Sequence, residues 1–288
     1  MRRKGTEMYC FTCKEDFESM MTCIYRVWEA KKGSQNVRLE IEPVEQMDLL
    51  TEYVHVEVDP ELAHKVVRSI RTKISAKAYY QVYLAAMSND PGRLDDIYRF
   101  LRIGFAVGGK VTECLREESV MQIFELSRQV SNERHFFREF LRFTRIEPGI
   151  YVAHMEPKGN VVALVAGHFA DRMPSEDWMI IDDGRGLGVI HPKNEPFYVT
   201  KFREEEMERL CQTEQQEDLY TQMWKEFFYT IAVEKGRIRV AREICFRYDT
   251  ETCDGVFIKR RRRNTKTLFA EGRNYKKRVD RKKNKCYF

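Results

Sequence analysis

The sequence contains no apolar run that approaches the roughly 20 residues of a membrane-spanning helix. No apolar core of a signal peptide follows the basic start Met1-Arg2-Arg3-Lys4 either. We therefore expect no membrane partner and a soluble, cytoplasmic chain. What is present is typical of a folded protein, because 43% of the 288 residues are hydrophobic and 12% are aromatic. This length suits one large domain or two small ones.

Suitably spaced metal ligands are also missing. The eight cysteines are scattered, and Cys10-x-x-Cys13, with Cys23 nearby, is a lone pair, whereas a zinc site needs four ligands. We expect reduced thiols and no metal, and no residue pattern names a cofactor. The Gly-rich segment 104–110 lacks the hydroxyl and the spacing of a phosphate-binding loop, because Val111 follows Lys110. It is predicted to be a loop between helices.

Charge is distributed unevenly along the chain. Residues 259–288 hold 14 Lys or Arg and only two acids, whereas residues 1–258 hold 36 basic and 43 acidic residues. The overall charge of +5 therefore comes from the last 30 residues, and the rest of the chain carries −7. A genuine basic arm of this kind would bind phosphates through counterion release.

Capping residues and hydrophobic spacing predict a mostly helical first half. Asp16 is expected to cap a first helix that runs to residue 31, Asp59-Pro60-Glu61 to start a second, and Ser75 to cap a third. The residues Asn89-Asp90-Pro91-Gly92 should break the third helix. The same patterns predict strands over residues 9–12 and 54–58, and helices over residues 94–105 and 117–135.

The second half changes to a sheet with helices. Glu147-Pro148-Gly149 is a hairpin signature between two apolar segments, residues 140–146 and 150–155. Further predictions are a buried helix or strand over residues 161–169, a meander of strands over residues 178–181, 187–190 and 197–200, and an amphipathic helix over residues 214–234. The predicted fold class is α+β, with a helical N-terminal half and an antiparallel sheet with flanking helices in the C-terminal half. The predicted domains are a helical region over residues 8–110, an α+β core over residues 111–235 and a tail over residues 236–288.

The first candidate site is a basic and aromatic segment that could bind nucleic acid. His135, Arg138 and Arg142 lie close together in the sequence, interleaved with phenylalanines at 136, 137, 140 and 143. Arginines can hold phosphates while bases stack on aromatic rings. The alternative, which the sequence alone favours, is a helix-to-strand junction whose phenylalanines belong to the core and whose arginines face water.

The second candidate site is catalytic. In Gly167-His168-Phe169-Ala170-Asp171-Arg172, His168 could transfer protons, with Asp171 to orient it and Arg172 to hold an anion. The alternative is a histidine that caps a buried element beside a turn, and no pattern fixes a nucleophile. Asp182 and Asp183 follow an apolar strand, but adjacent strand residues point in opposite directions, so a turn is predicted there instead of a metal site.

Several segments resemble a bacterial family described as DNA metabolism or DNA repair proteins. The resemblance covers residues 8–235 and includes the segments Ile24-Tyr25-Arg26-Val27-Trp28-Glu29-Ala30 and Trp224-Lys225-Glu226-Phe227-Phe228. It is strongest at Val130-Ser131-Asn132-Glu133-Arg134-His135-Phe136, Phe140-Leu141-Arg142-Phe143 and Gly167-His168-Phe169-Ala170-Asp171-Arg172.

This resemblance implies a partner but no settled reaction. Members of that family are typically encoded beside a radical-SAM protein of DNA modification or repair, and a similar domain is fused to uracil-DNA-glycosylase-like domains. The chain itself has no Cys-x-x-x-Cys-x-x-Cys motif, so it is not the radical-SAM enzyme. We expect this chain to be an accessory partner of such an enzyme and to bind DNA itself. There are two alternatives. One is an enzyme that acts directly on damaged DNA, with His135 or His168 central, and the other is a structural interaction protein.

The residues after Glu234 depart from that family. Its members usually end in Asn-Pro-Arg-x-Gln-x-Asn-x-Leu-Pro-x-Arg-Tyr. With permitted codons, the shifted frame from Arg237 onward reads Asn-Pro-Arg-Arg-Gln-Gly-Asn-Met-Leu-Pro-Ile-Arg-Tyr. Residues 236–288 are therefore predicted to be out-of-frame translation or a disordered basic tail. An intact single frame with different codons in the gene would contradict the frameshift.

Overall fold

The computed structural model describes residues 8–44, 46–147 and 150–202, without the side chains of residues 146, 147 and 150. The described residues form two compact units. The first unit contains residues from 8–144, 152–165 and 180–186, and the second unit contains residues from 145–151, 166–179 and 187–202. The predicted helix over residues 214–234 and the tail lie outside the described residues, and the predicted domain boundaries stay predictions. No helix in the described part is long and apolar enough to cross a membrane.

A three-stranded parallel sheet opens the chain. Its strands are β1 (Met8–Cys13), β2 (Val37–Ile41) and β3 (Thr51–His55), in the order β2-β1-β3. Tyr9 pairs with Val37 on one side of β1, and Met8 pairs with Thr51 on the other. Parallel neighbours need a crossover, and helix α1 (Phe17–Ala30) joins β1 to β2. The central strand β1 is buried after its first residue, as expected for a strand with a neighbour on each side.

The predicted helix starts are confirmed because they depend on local hydrogen bonds. Asp16 accepts from Ser19 N at 2.8 Å, Asp59 accepts from Glu61 N and Leu62 N, and Ser75 accepts from Ala78 N at 3.0 Å. The first helix ends at Lys31, whose left-handed φ of 50° stops further helical turns. The other helices of this region are α2 (Pro60–Ser69), α3 (Ala76–Ala86) and α4 (Arg93–Val107).

Two predictions in this half are wrong in detail, and one strand was not predicted. The strand predicted over residues 54–58 is β3, which spans Thr51–His55. The segment 104–110 is not a loop, because Gly104 lies within α4 and a 3-10 helix covers Gly108–Glu113. A glycine is needed at this helical position because the side chain of Ile74 packs against it. A Cβ on residue 104 would lie only 2.7 Å from Ile74 Cδ1. The alternating segment Val37–Ile41 was not predicted to be a strand.

The longest helix of the described residues, α5 (Glu118–Phe140), runs five residues beyond the predicted end at His135. Its first half packs inward through a buried stripe of Val120, Ile123, Leu126, Ser127 and Val130. Every residue from 131 to 140 is half-buried or exposed. The helix therefore leaves the core halfway along its length.

The predicted antiparallel sheet of the second half is confirmed. It contains β4 (Thr144–Glu147), β5 (Ile150–Met155), β6 (Asp177–Asp182), β7 (Leu187–His191) and β8 (Tyr198–Lys201), in the order β4-β5-β6-β7-β8. Strands β7 and β8 pair antiparallel, with Val189 opposite Val199. Helix α6 (Val162–Arg172) lies between β5 and β6 in the chain, so the segment 161–169, predicted to be a helix or a strand, is a helix. The fold class is α+β, as predicted.

Two histidines in these elements have pKa values displaced in opposite directions. His55 Nδ1 lies 2.5 Å from Glu42 Oε1, and His55 Nε2 lies 3.1 Å from Glu57, so these hydrogen bonds raise the pKa of His55. His191 stacks on Trp178 with 4.7 Å between ring centroids, and burial lowers the pKa of His191 although its ring donates to a backbone carbonyl. The protonated ring is therefore favoured at His55 and the neutral ring at His191.

We expect NMR titration of the imidazole protons to place His55 above, and His191 below, the ordinary pKa of about 6.5. The pairing of His55 stabilises the fold fully below about pH 6.5, and this contribution is lost as pH rises through the raised pKa. For His191 the stability is present above about pH 6.5 and is lost as pH falls through the lowered pKa. Glu42→Gln should lower the pKa of His55 and leave His191 unchanged. Equal pKa values for the two rings would contradict this account.

Candidate nucleic-acid interface

The exposed end of α5 brings together the three residues predicted to bind nucleic acid. His135 and Arg138 lie on the last two turns of α5, and Arg142 is the second residue after the helix. His135 Nε2 lies 3.0 Å from Glu139 Oε1, one helical turn ahead. Arg142 donates to the carbonyls of Glu139 and Leu141, both at 3.2 Å. Arg142 thus places its charge at the helix C-terminus, where cations are favourable.

Two phenylalanines beside these residues are exposed. Phe136 is 53% exposed and Phe140 is 56% exposed, with 4.9 Å between their ring centroids. Phe137 packs edge-on against Phe136, with 5.4 Å between the ring centroids. The interpretation that these phenylalanines belong to the core is therefore wrong for Phe136 and Phe140. The α5 end, defined here as residues 135–142, presents aromatic rings and basic groups together.

Hydrogen bonds to neighbouring elements hold this helix in place. Arg134 Nη1 donates to the Tyr80 hydroxyl at 2.9 Å. On the same turn, Glu133 accepts from the backbone N–H groups of Lys158 at 2.6 Å and Gly159 at 2.9 Å. Because charge-assisted hydrogen bonds are strong, these contacts fix the helix one turn before the exposed rings. The α5 end is thus supported by a rigid element, which limits the entropy lost on binding.

The predicted catalytic residues lie on α6, in the last two turns of that helix. His168 is half-buried, with its ring 5.2 Å from that of Phe169, whereas Asp171 and Arg172 are exposed. Their spacing of three and four residues places them on one side of the helix with His168. Helical geometry therefore brings the three together, and their catalytic role stays a prediction.

The adjacent carboxylates Asp182 and Asp183 take different partners, as the strand geometry predicts. Asp182 is buried and accepts from Arg185 N at 3.2 Å and Arg185 Nη1 at 3.3 Å. Burial raises the pKa of Asp182, and the Arg185 guanidinium opposes that shift. Asp183 Oδ1 lies 2.9 Å from His154 Nδ1. This arrangement stabilises a turn, and no group of metal ligands occurs among the described residues.

One polar cluster was missed by the sequence analysis. Glu42 follows β2, accepts from Thr12 Oγ1 on β1 at 2.7 Å and faces His55 on β3. Its hydrogen bonds to Thr12 and His55 lower the pKa of Glu42. The three residues are distant in sequence and meet because parallel strands end at the same edge of the sheet. The cluster could have been predicted only if the order of the strands in the sheet had been known.

Residues 91–243 match the sequence model of a family described as a domain of unknown function, DUF4130, and this is more than half of the chain. The chain belongs to the DUF4130 family. No curated protein matches it. The DUF4130 region begins at the turn before α4 and contains the α5 end and the α6 residues, so both predicted sites lie inside it. The family description assigns no activity to either site.

Proposed function

We propose that this DUF4130 chain is a nucleic-acid-binding accessory protein of DNA metabolism, and that it works with a radical-SAM enzyme. The observation that supports nucleic-acid binding most directly is the exposure of Phe136 and Phe140 beside His135, Arg138 and Arg142. Large apolar rings are normally buried, and exposed ones next to cations mark a binding surface. The resemblance to DNA metabolism proteins supports the partner.

The chemistry of the α5 end fits a single strand better than a duplex. Unpaired bases expose their ring faces, and any base can stack on phenylalanine, whereas stacked duplex bases present only their edges. The arginines supply charge to the phosphates without reading sequence. We therefore expect a preference for single-stranded DNA and little dependence on base identity.

The double variant Phe136→Ala/Phe140→Ala should weaken binding of single-stranded DNA. Stacking contributes about 1–3 kcal/mol per base, so loss of both rings should raise Kd by at least about tenfold. Fluorescence anisotropy with a labelled oligonucleotide measures this change. The full chain is used throughout, because the basic residues 259–288 then contribute equally to every variant.

The matched control is Phe124→Ala, which removes a 38% exposed phenylalanine from the same helix, outside the α5 end. It should leave Kd within about twofold, because single exposed apolar residues need not serve binding. Circular dichroism checks that the variants keep their helix content. Equal Kd values for the double variant and the wild type would exclude a stacking role.

The partner is tested separately by affinity purification from the native host. We expect a co-purified protein that carries the Cys-x-x-x-Cys-x-x-Cys motif of radical-SAM enzymes, identified by mass spectrometry. The purified pair should then form a complex at micromolar concentration. No complex between the two pure proteins would contradict the accessory role, even if DNA binding is confirmed.

A further inference from the structure

A groove in the first unit lies between α1, α2 and α4. It is an open groove of about 560 Å³, which is within the size of small-molecule sites. Of the lining residues that the structure describes, Arg102 and Phe105 fall inside the DUF4130 match. The described lining consists of three aromatics, three cations and two small side chains: Tyr25, Trp28, Phe105, Lys65, Lys73, Arg102, Val66 and Ser69.

The lining is positively charged, and none of its described residues is acidic. Lys65, Lys73 and Arg102 are all exposed, so their charges are available to a ligand in the groove. Like charges that converge on one concavity repel each other, and a bound anion removes that repulsion. The charge therefore favours a multiply charged anion such as a phosphate ester.

The backbone aligns two of these cations through a π turn. Lys65, Ser69 and Lys73 are spaced four residues apart, and an α-helix would rotate the third away from the first. Between Ser69 and Lys73 the chain enters a π turn, Ile70–Ile74, in which Ser75 N donates to Ile70 O at 3.1 Å. A π turn rotates each residue by less than an α-helix does, so Lys73 returns toward the face of Lys65. Such turns occur frequently at functional sites.

The aromatic residues of the lining come from α1 and α4. Tyr25 and Trp28 are one turn apart on α1, and the Trp28 ring packs edge-on against Phe105 with 5.2 Å between centroids. All three rings are half-buried, so they are held by packing but still reach the groove. Rings fixed in this way can stack a planar base at little entropic cost.

We propose that this groove binds a nucleotide, with the base against Tyr25 and Trp28 and the phosphate on Lys65, Lys73 and Arg102. A phosphate ester without a base would leave the rings unused, and an apolar ligand would leave three cations unpaired. The nucleotide comes either from a free nucleoside monophosphate or from the phosphorylated end of a strand, which share this chemistry. The site is separate from the α5 end and does not depend on DNA binding there.

Isothermal titration of the full chain with each of the four deoxynucleoside 5′-monophosphates tests the proposal. We expect at least one to bind at least about tenfold more tightly than inorganic phosphate or the matching nucleoside, because only the nucleotide uses both the rings and the cations. Lys73→Gln should raise that Kd by about tenfold, through loss of one charge-assisted contact. Lys73 is exposed, so this variant is expected to fold.

The control Arg68→Gln removes an exposed cation of α2 that does not line the groove, and it should leave Kd unchanged. No nucleotide binding, equal binding of phosphate alone, or equal losses in Lys73→Gln and Arg68→Gln would each overturn the proposal.

A 5′-phosphorylated oligonucleotide distinguishes a free nucleotide from the end of a strand. If Lys73→Gln weakens binding of this oligonucleotide too, the groove binds strand ends. If Lys73→Gln weakens only mononucleotide binding, the ligand is a free nucleotide. Phe136→Ala/Phe140→Ala should leave mononucleotide binding unchanged, which separates this site from the α5 end.

Discussion

Gly159→Ala is expected to lower the free energy of unfolding of the first unit by about 2–4 kcal/mol. A Cβ at this position would lie 2.8 Å from the carbonyl oxygen of Met87 and 3.2 Å from Glu133 Oε2. The carbonyl cannot move away easily, because Asn160 N donates to it at 2.7 Å. Overpacking costs about 1–3 kcal/mol, and each weakened hydrogen bond adds about 0.5–1.5 kcal/mol.

Urea denaturation followed by circular dichroism measures the change as a lower transition midpoint. The matched control is Gly184→Ala, where the nearest atom to a Cβ is Asp182 Oδ1 at 3.6 Å, an ordinary contact. This control should change the free energy of unfolding by less than about 0.5 kcal/mol. Equal midpoints for the two alanine variants would show that the loop can shift away from the new methyl group.

Arg93→Met is expected to cost about 1.5–4.5 kcal/mol of stability. The Arg93 side chain is 4% exposed, and it donates to the carbonyls of Ala86 at 3.2 Å and Asp90 at 2.6 Å, and to Glu15 at 2.7 Å. Methionine preserves most of the stem but leaves the Ala86 carbonyl without this donor, at about 1–3 kcal/mol. The Asp90 carbonyl keeps the Arg93 backbone N–H at 3.3 Å, so loss of its side-chain donor adds about 0.5–1.5 kcal/mol. Glu15 is exposed, so water replaces its lost partner.

The control for this substitution is Arg26→Met, which removes a surface ion pair with Glu29. Exposed pairs contribute about 0–1 kcal/mol, so its urea midpoint should stay close to that of the wild type. The loss in Arg93→Met should also persist in high salt, because buried contacts are weakly screened. Equal urea midpoints for Arg93→Met and the control would contradict the prediction, because they would mean that other groups replace the donors lost with Arg93.

The parts of the fold that were predicted correctly depend on short-range signals. Asp16, Asp59 and Ser75 cap their helices through hydrogen bonds to residues two or three positions ahead, and such bonds can be recognised in the sequence. The meander of β6, β7 and β8 was found because turn residues separate its apolar segments. Local chemistry alone determines these features.

The features that were missed depend on contacts between distant residues. Strand β2 joins the sheet because Val37 to Ile41 pair with β1, about 28 positions earlier in the chain. Phe140, the last residue of α5, was predicted to begin the apolar segment 140–146 of a hairpin, because phenylalanine is typical of strands. The end of that helix is instead set by Leu141, whose extended backbone stops the helix.

The candidate sites divide in the same way. His135, Arg138 and Arg142 are close in sequence, so their proximity could be predicted, but the exposure of Phe136 depends on how α5 packs. The groove could not be predicted, because its lining comes from three helices and a π turn. The sequence pattern therefore indicated which residue types lie together and not which of them face solvent.

The central claim is that the α5 end binds single-stranded nucleic acid, and the salt dependence of Kd tests it most directly. We compare the wild type with Arg138→Gln/Arg142→Gln, and with Arg128→Gln as an exposed control on the same helix. Each phosphate contact contributes about 0.7 to the slope of log K against log salt for single strands. The account predicts that the double variant loses about 1.4 of this slope while the control keeps it. An unchanged slope and Kd in the double variant would contradict the account.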